Sequence, residues 1–589
     1  MGKKAGDLPR EQRTVYRLLK RSASVWGAAP ALHQPDGRGG YRTWSWVEYR
    51  QAAEEIACGL RAMGIAAGDV VGLASETRAE FYLADAGVMT NGSIAAAVYT
   101  SLPPADQVRT LVNCEPKAVF VENPKMLRTL EASGLGVLAV PRILLEGEAE
   151  GATTLEALRE LGVKAMVGDQ LLMERIEAEV QPSHHAILYL TSGATGEPKM
   201  GLVTHNAIVA NVDLGPKVID LDDEDRSLAF LPSAHITQRL VMELLMLRMG
   251  VPVYFSEGLS KMPAELRSVK PTFIIAPPRV WERIYASVTT EIRKKPLLIR
   301  RLFYLGVGVG NEATRAKEAG REPAPWVKSS LKFFDKVVFA KIRERLGGRL
   351  RLAVSGAAPL GRELATFYSS IGLRLIEGYG LTEGGVVALN PIDRPIAGSI
   401  GKALPGVELK AAEDGELLIR GETVFSGYYK DPASTAAVLR DGWLHTGDIA
   451  RVNGDGYWFI TGRKKELIVS SNGKKIYPAR IEGLFKLEPL INQVLLIGDR
   501  LPYMTALITV NAPESERTSE AVQQEVRRIV KSVNRQLAPF EQIRRFKVLE
   551  RDFSLENGEM TPTMKLRRTR VLENFKAEIS ELYVGREEF

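Results

Sequence analysis

The chain has 589 residues, 45% hydrophobic and 25% charged, with only 2 cysteines, a balance that excludes disordered, collagen-like and disulfide-stapled proteins. Its 78 Lys and Arg against 71 Asp and Glu leave a net charge of +7. Over this length that is too thin for a nucleic-acid binder and reads first as a solvated basic surface, with attraction to polyanionic substrates or to an anionic membrane surface as the alternatives.

No apolar run of about 18 residues marks a membrane span; the best stretch, Phe81 to Leu102, is interrupted by Asp85 and Asn91. Met1-Gly2-Lys3-Lys4 lacks the apolar core of a secretion signal, and Cys58 and Cys114 suit a reducing compartment. A cytoplasmic protein is expected, with a peripheral place on the inner membrane face as the alternative.

Through the first 400 residues or so, short apolar strands alternate with helical spacing. Trp46 to Met63 is expected to be a helix, Val70 to Ala74 and Ala118 to Val121 buried strands, Ala186 to Leu190 a third strand, and Thr204 to Asn211 a helix. Thr272 to Ala276 is a further strand, and Glu291 to Gly348 reads as a basic, largely helical insertion. Such alternation predicts an α/β fold with parallel sheets. From about Gly398 short strands such as Glu416 to Arg420 and Gly456 to Ile460 are separated by Gly- and Asp-rich turns, so a β-rich subdomain follows. Gly462 to Glu466 is a charged break before the apolar run Leu467-Ile468-Val469. The expected architecture is therefore a large N-terminal domain, 1–464, of layered α/β subdomains plus the β-rich one. A small α+β C-terminal domain, 465–589, completes it.

Five strings carry chemistry. After the strand ending at Leu190, Thr191-Ser192-Gly193-Ala194-Thr195-Gly196 leads to Lys199. Hydroxyls, glycines that let backbone N–H groups approach an anion, and one ammonium make a phosphate-cradling loop, without the ending of a Walker A motif. In Glu377-Gly378-Tyr379-Gly380-Leu381-Thr382-Glu383 an aromatic suited to stacking on a base precedes a hydroxyl for phosphate and a carboxylate for Mg²⁺. Trp443 to Asp448 reads as a loop ending in a carboxylate suited to a ribose diol, or simply as an Asx turn. Thr461 to Glu466 lies at the domain break, and Thr561-Pro562-Thr563-Met564-Lys565 presents one lysine near the end. No Ser-His-Asp or Cys-His constellation stands out.

In this order and at these separations, the five strings resemble the adenylate-forming superfamily, from about Ser45 to Arg568. Leu231 to Arg239, Pro277 to Tyr285 and Asp335 to Gly347 resemble its bacterial long-chain fatty acyl-CoA synthetase branch, and the basic insertion fits that branch. The resemblance implies a long-chain fatty acid–CoA ligase working in two steps. A carboxylate attacks the α-phosphate of ATP to give acyl-AMP and pyrophosphate, and CoA thiol then displaces AMP.

It also implies roles. Thr191 to Lys199 hold the β- and γ-phosphates, Gly356, Ala357 and Ala358 line the adenine, and Tyr379, within Glu377 to Gly380, stacks on it. Thr382 meets the α-phosphate, Glu383 holds Mg²⁺, and Asp448 and Arg463 take the ribose hydroxyls. Lys565 serves adenylation, and the small domain turns about Lys465. His235 would border the carboxylate and thiol passage, or be a packing residue; Lys474-Lys475 would meet CoA phosphates, or be plain surface charge. A fatty acyl-AMP ligase loading a carrier protein, and a non-enzymatic nucleotide-binding relative, are the alternatives. Retention of Glu383 and Lys565 speaks against the second.

Overall fold

The structure, a computed structural model, describes residues 4–190, 199–470 and 473–584. Its frame is two large sheets. In the first, Ile94–Ala97, Val70–Ala74, Ala118–Val121 and Arg142–Leu144 run parallel beside His185–Leu190, with Met200–Thr204 and Gly427–Tyr428 closing one edge antiparallel. In the second, Leu375–Leu381, Leu352–Ser355, Phe273–Ala276, Ser227–Ala229, Val253–Phe255 and Pro30–Pro35 are parallel, with antiparallel strands at both edges. The central strands Val70–Ala74, Ile94–Ala97, Ala118–Val121, Phe273–Ala276 and Leu352–Ser355 are buried on both faces, which is why they read as short, mostly apolar runs.

Local chemistry explains the helices between them. Trp46–Ala62 starts at a reciprocal cap: Ser45 Oγ accepts the Glu48 N–H (3.2 Å) while the Glu48 carboxylate accepts the Ser45 N–H (2.7 Å). Leu155–Gly168 crosses it so closely that a Cβ on Gly162 would stand 1.8 Å from the Glu55 carbonyl oxygen, so only glycine fits there. Ala79–Thr90 is buried on every face. The apolar run that begins at Phe81 is thus a core helix, and among the described residues no helix is long and apolar enough to cross a membrane. Its Asp85 forms a fully buried ion pair with Arg239, Oδ2 to Nε 3.0 Å. Arg239 lies on Thr237–Leu245, wound as a π-helix.

Beyond residue 400 Glu408–Ala411, Glu416–Arg420, Trp443–Val452, Leu439–Arg440 and Trp458–Arg463 form a third sheet, antiparallel throughout. The expected strand at Gly456 begins only at Trp458, because Gly456 is a turn residue at φ +80°. After the turn Lys464–Glu466 come a two-stranded ribbon and a three-stranded sheet, Ile491–Ile497, Met504–Val510 and Ile543–Val548. Helix Glu520–Asn534 covers that sheet through Val526, Ile529, Val530 and Val533, a core of its own. The fold is mixed α/β with a large N-terminal and a small C-terminal part.

Candidate active site

A cavity of about 2110 Å³ is lined by both large sheets, the β-rich sheet and the C-terminal part. Gly356, Ala357 and Ala358 form one wall, in the loop after strand Leu352–Ser355, where Ala357 is held at φ +68°. Tyr379 lines the same wall between two glycines that the hairpin requires. A Cβ on Gly380 would meet the Gly385 carbonyl oxygen at 2.5 Å, and one on Gly378 would press Leu389 at 3.0 Å. Glu377 is buried, and its carboxylate accepts the N–H groups of Gly398 (2.9 Å) and Leu360 (3.3 Å). Burial raises its pKa to about 8 against the pull of those donors. Glu377 therefore shapes the loop beside the wall with its carboxylate already engaged.

The Tyr379 hydroxyl donates to Asp448 Oδ2 (2.6 Å), and Arg463 Nε pairs with Asp448 Oδ1 (2.9 Å). Asp448 does not end a loop, as its sequence context suggested. It sits inside strand Trp443–Val452, directly opposite Arg463 on the next strand. Gly447, at φ +71°, gives the segment its turn-like composition without breaking the strand.

Thr382 and Glu383 form the turn after strand Leu375–Leu381 and line the cavity. Glu383 Oε1 accepts the Tyr428 hydroxyl (2.7 Å). Lys199 Nζ lies 4.9 Å over the Tyr428 ring and donates to Ser434 Oγ (2.7 Å). Tyr428 thus ties the carboxylate to the lysine that follows the phosphate-type loop. Thr191, Ser192, Gly193, Ala194, Thr195 and Gly196 lie outside the described residues. Among the described residues no three His, Cys, Asp or Glu side chains cluster as a metal nest. A single carboxylate suits Mg²⁺ held mainly by substrate phosphates.

Lys565 reaches this cavity from the C-terminal part. Its loop is pinned at Thr561, whose Oγ1 accepts the Lys565 N–H (3.0 Å) and whose N–H donates to the Lys565 carbonyl (2.8 Å). Burial, helped by the Arg463 charge, lowers its pKa to about 8, while Asp448, Glu383 and Glu466 pull the other way. His235 lines the cavity as well; burial and the Lys565 charge push it down to about 3. It is neutral, and its Nδ1 accepts the Thr237 N–H (3.2 Å), so the ring proton sits on Nε2. The same cavity is also lined by an apolar arm of side chains, Val218, Ile219, Leu240, Val241 and Leu245.

Lys465 is exposed in the turn Lys464–Glu466, whereas Lys464 is anchored to Glu416 (3.2 Å) and Asp414 (2.5 Å) of the β-rich sheet. Across the cleft Arg279 donates to the Asn492 carbonyl (2.9 Å) and to its side chain. Lys486 pairs with Glu282 (3.1 Å). Tyr428, Ser434 and Lys486 carry no motif of their own, and Arg279, although inside the Pro277 to Tyr285 segment, is given no role there. Their partners lie 45 to 235 residues away in the chain, so no local pattern announces them.

Two parallel α/β sheets and a β-rich sheet, closed by a small domain that delivers a lysine to a glycine-walled cleft, define an adenylate-forming enzyme. The chain belongs to the AMP-binding enzymes: the model of that family matches residues 19–429, and that of the AMP-binding enzyme C-terminal domain matches 465–587. It is 34% identical over 566 residues to long-chain-fatty-acid–CoA ligase FadD15 of Mycobacterium tuberculosis, covering 92% of each chain. Human long-chain-fatty-acid–CoA ligase 1 is 29% identical over 631 residues, covering 97% of this chain and 86% of the relative. Among solved structures the anthranilate CoA ligase AuaEII in complex with anthranoyl-AMP superposes with a TM-score of 0.75 at 21% identity, covering 98% of this chain and 100% of that one.

Proposed function

We propose that the protein is an ATP-dependent long-chain fatty acid–CoA ligase. The observation that carries this is the meeting of Lys565 with Asp448, Glu383 and His235 at one cavity that the apolar side chains Val218, Ile219, Leu240, Val241 and Leu245 also line.

In the first half-reaction a fatty carboxylate oxygen attacks the α-phosphorus of ATP, and the bond to the bridging oxygen of pyrophosphate breaks. Two anions must meet, so the site needs cations and donors rather than a protein nucleophile. The Lys565 ammonium supplies charge at the carboxylate and bridging oxygen, and Thr382 donates to the α-phosphate. Lys199 and the loop 191–196 hold the outer phosphates. Glu383 would hold Mg²⁺, which neutralises phosphate charge when bound. Tyr379 stacks on the base beside Gly356, Ala357 and Ala358. Asp448 and Arg463, already aligned on each other, take the ribose hydroxyls. In the second half-reaction the CoA thiolate attacks the acyl carbon and AMP leaves.

Lys565 serves the first step alone, so for the second the small domain turns about Lys465 and withdraws it. The exposed Lys465 beside the anchored Lys464 supports a division at 464/465. The acyl chain lies along the apolar arm, past a neutral His235. Cys58 and Cys114, both buried free thiols, accord with a cytoplasmic setting.

The test is a panel of carboxylic acids from short to very long, scored for thioester and for pyrophosphate with and without CoA. Thioester formation that favours palmitate-like acids is expected. Pyrophosphate release without thioester would instead favour an acyl-AMP ligase that loads a carrier protein, and neither product would leave a non-enzymatic relative.

A further inference from the structure

The helical hairpin of Leu297–Glu318 and Pro325–Glu344 is firmly packed on its inner side. A Cβ on Gly306 would meet the Phe334 and Phe339 rings at about 3.0 Å, and one on Gly310 would stand 2.2 Å from the Ser370 carbonyl oxygen. Phe303, Val338, Phe339 and Ile342 join the core beneath. The outer side does not follow the usual rule. Among the described residues 21 large hydrophobic side chains are exposed, and eight of them lie between Leu297 and Val337. Trp326 and Phe333 lie seven apart on one face of the helix Pro325–Phe334, 61% and 55% exposed, and Val337 is exposed on the π-wound turn Asp335–Phe339 that follows. Leu298 and Leu305 on the first helix are 69% and 61% exposed.

Charge is concentrated on the same segment. Residues 291–348 carry fourteen Lys and Arg against six Asp and Glu, a net +8. The whole chain is +7, so everything outside this segment sums to −1. Lys332 and Lys336 flank Phe333 and are exposed, and among the described residues no ion pair engages either.

We propose that this hairpin docks the protein on an anionic phospholipid bilayer. Leu, Phe and Trp enter the headgroup boundary while the lysines meet lipid phosphates. A second copy of the chain is disfavoured, because joining two such faces would oppose two +8 segments. A nucleic acid is disfavoured because most of the exposed hydrophobic side chains here, Leu297, Leu298, Ile299, Leu305 and Val337, are aliphatic and neither stack on bases nor bind phosphate. The proposal rests on the fatty-acid reading above for its purpose: a long-chain acid resides in bilayers, and a ligase docked there draws substrate from them.

The test is sedimentation of the full chain with phosphatidylcholine vesicles containing about a third phosphatidylglycerol, against pure phosphatidylcholine. Binding is expected on the anionic vesicles, with loss as salt rises from about 0.1 M to about 0.5 M. Trp326, the one tryptophan in the exposed class among the described residues, should shift its emission to the blue. Lys332→Glu with Lys336→Glu, and separately Phe333→Ser, should weaken binding about tenfold or more. Thioester formation from water-soluble octanoate without vesicles should stay unchanged in both. Equal binding by the variants, equal binding to neutral vesicles, pelleting without a Trp326 shift, or a dimer dissolved by Phe333→Ser would each overturn the proposal. Vesicle binding without any thioester would refute the ligase reading and leave the docking surface standing.

Discussion

Removing the ammonium at Lys565 should separate the two half-reactions. The group sits in a cleft where burial and Arg463 hold its pKa near 8, so at pH 7 about nine-tenths of it is charged. It can act on the transferring phosphate only in that form. Loss of one preorganised charge at a developing transition state is worth roughly 2.7–4 kcal/mol, a hundredfold to a thousandfold in rate. Lys565→Ala should lose that much in ATP-dependent pyrophosphate release. Supplied with synthetic acyl-AMP and CoA, it should form thioester within about threefold of wild type. A pH profile adds a second handle, because kcat/KM reports the free enzyme. Adenylation should fall about tenfold per unit above pH 8, and Lys565→Ala should not show that limb. The depressed pKa also means that the charged lysine costs the closed arrangement about 3 kcal/mol below pH 8, a cost that fades as pH rises toward the ordinary lysine value. Closure should therefore tighten at alkaline pH while adenylation fails. Parallel loss of both half-reactions in Lys565→Ala would refute this account.

Glu383→Gln should abolish most turnover while leaving the fold intact, and Tyr428→Phe, which frees Glu383 Oε1, should raise the Mg²⁺ concentration for half-maximal rate about tenfold; a titration of rate against Mg²⁺ reads both. With about 0.8 kcal/mol per buried methylene, wild-type kcat/KM should climb about fourfold per added carbon until the arm is full. Val241→Trp should halt that climb several carbons earlier, and an unchanged chain-length profile would remove Val241 from the arm. Glu243 is held well above the carboxylate range by burial and by the Asp85 charge, so the native state binds a proton that the unfolded chain releases above about pH 4.3. Stability should fall as pH rises from there, and Glu243→Gln should melt higher than wild type at pH 8, with the gap closing toward pH 5.

Much of this is legible in the amino-acid sequence. The strands Val70–Ala74 and Ala118–Val121 and the basic helical insertion fall where the apolar spacing put them, because doubly buried strands leave unmistakable runs. The resemblance named the cleft residues, and the structure brings Thr382, Glu383, Tyr379, Asp448, Arg463 and Lys565 to one cavity. What stayed hidden depends on register and long range. Asp448 looked like a turn residue because Gly447 precedes it, yet cross-strand pairing with Arg463 outweighs local propensity. The carboxylate of Glu377 is engaged by amides 17 and 21 residues away, and the Tyr428 bridge joins segments that share no motif. The π-helix at Thr237–Leu245 has no spacing signature, and its anchor, Arg239 on Asp85, spans 154 residues.

The contacts between Arg279 and Asn492 and between Lys486 and Glu282 are polar and only partly buried, joined by the half-buried Leu487. A seam of this kind parts without exposing much greasy surface, since water can satisfy each of its groups. The swing proposed for the small domain would therefore not offer other molecules a sticky face on each turnover. The same makeup renders the seam sensitive to dissolved ions, which compete for Lys486 and Glu282 but leave the sealed pair of Arg239 and Asp85 untouched. Moderate salt should thus loosen the swing of the enzyme well before it loosens the enzyme itself.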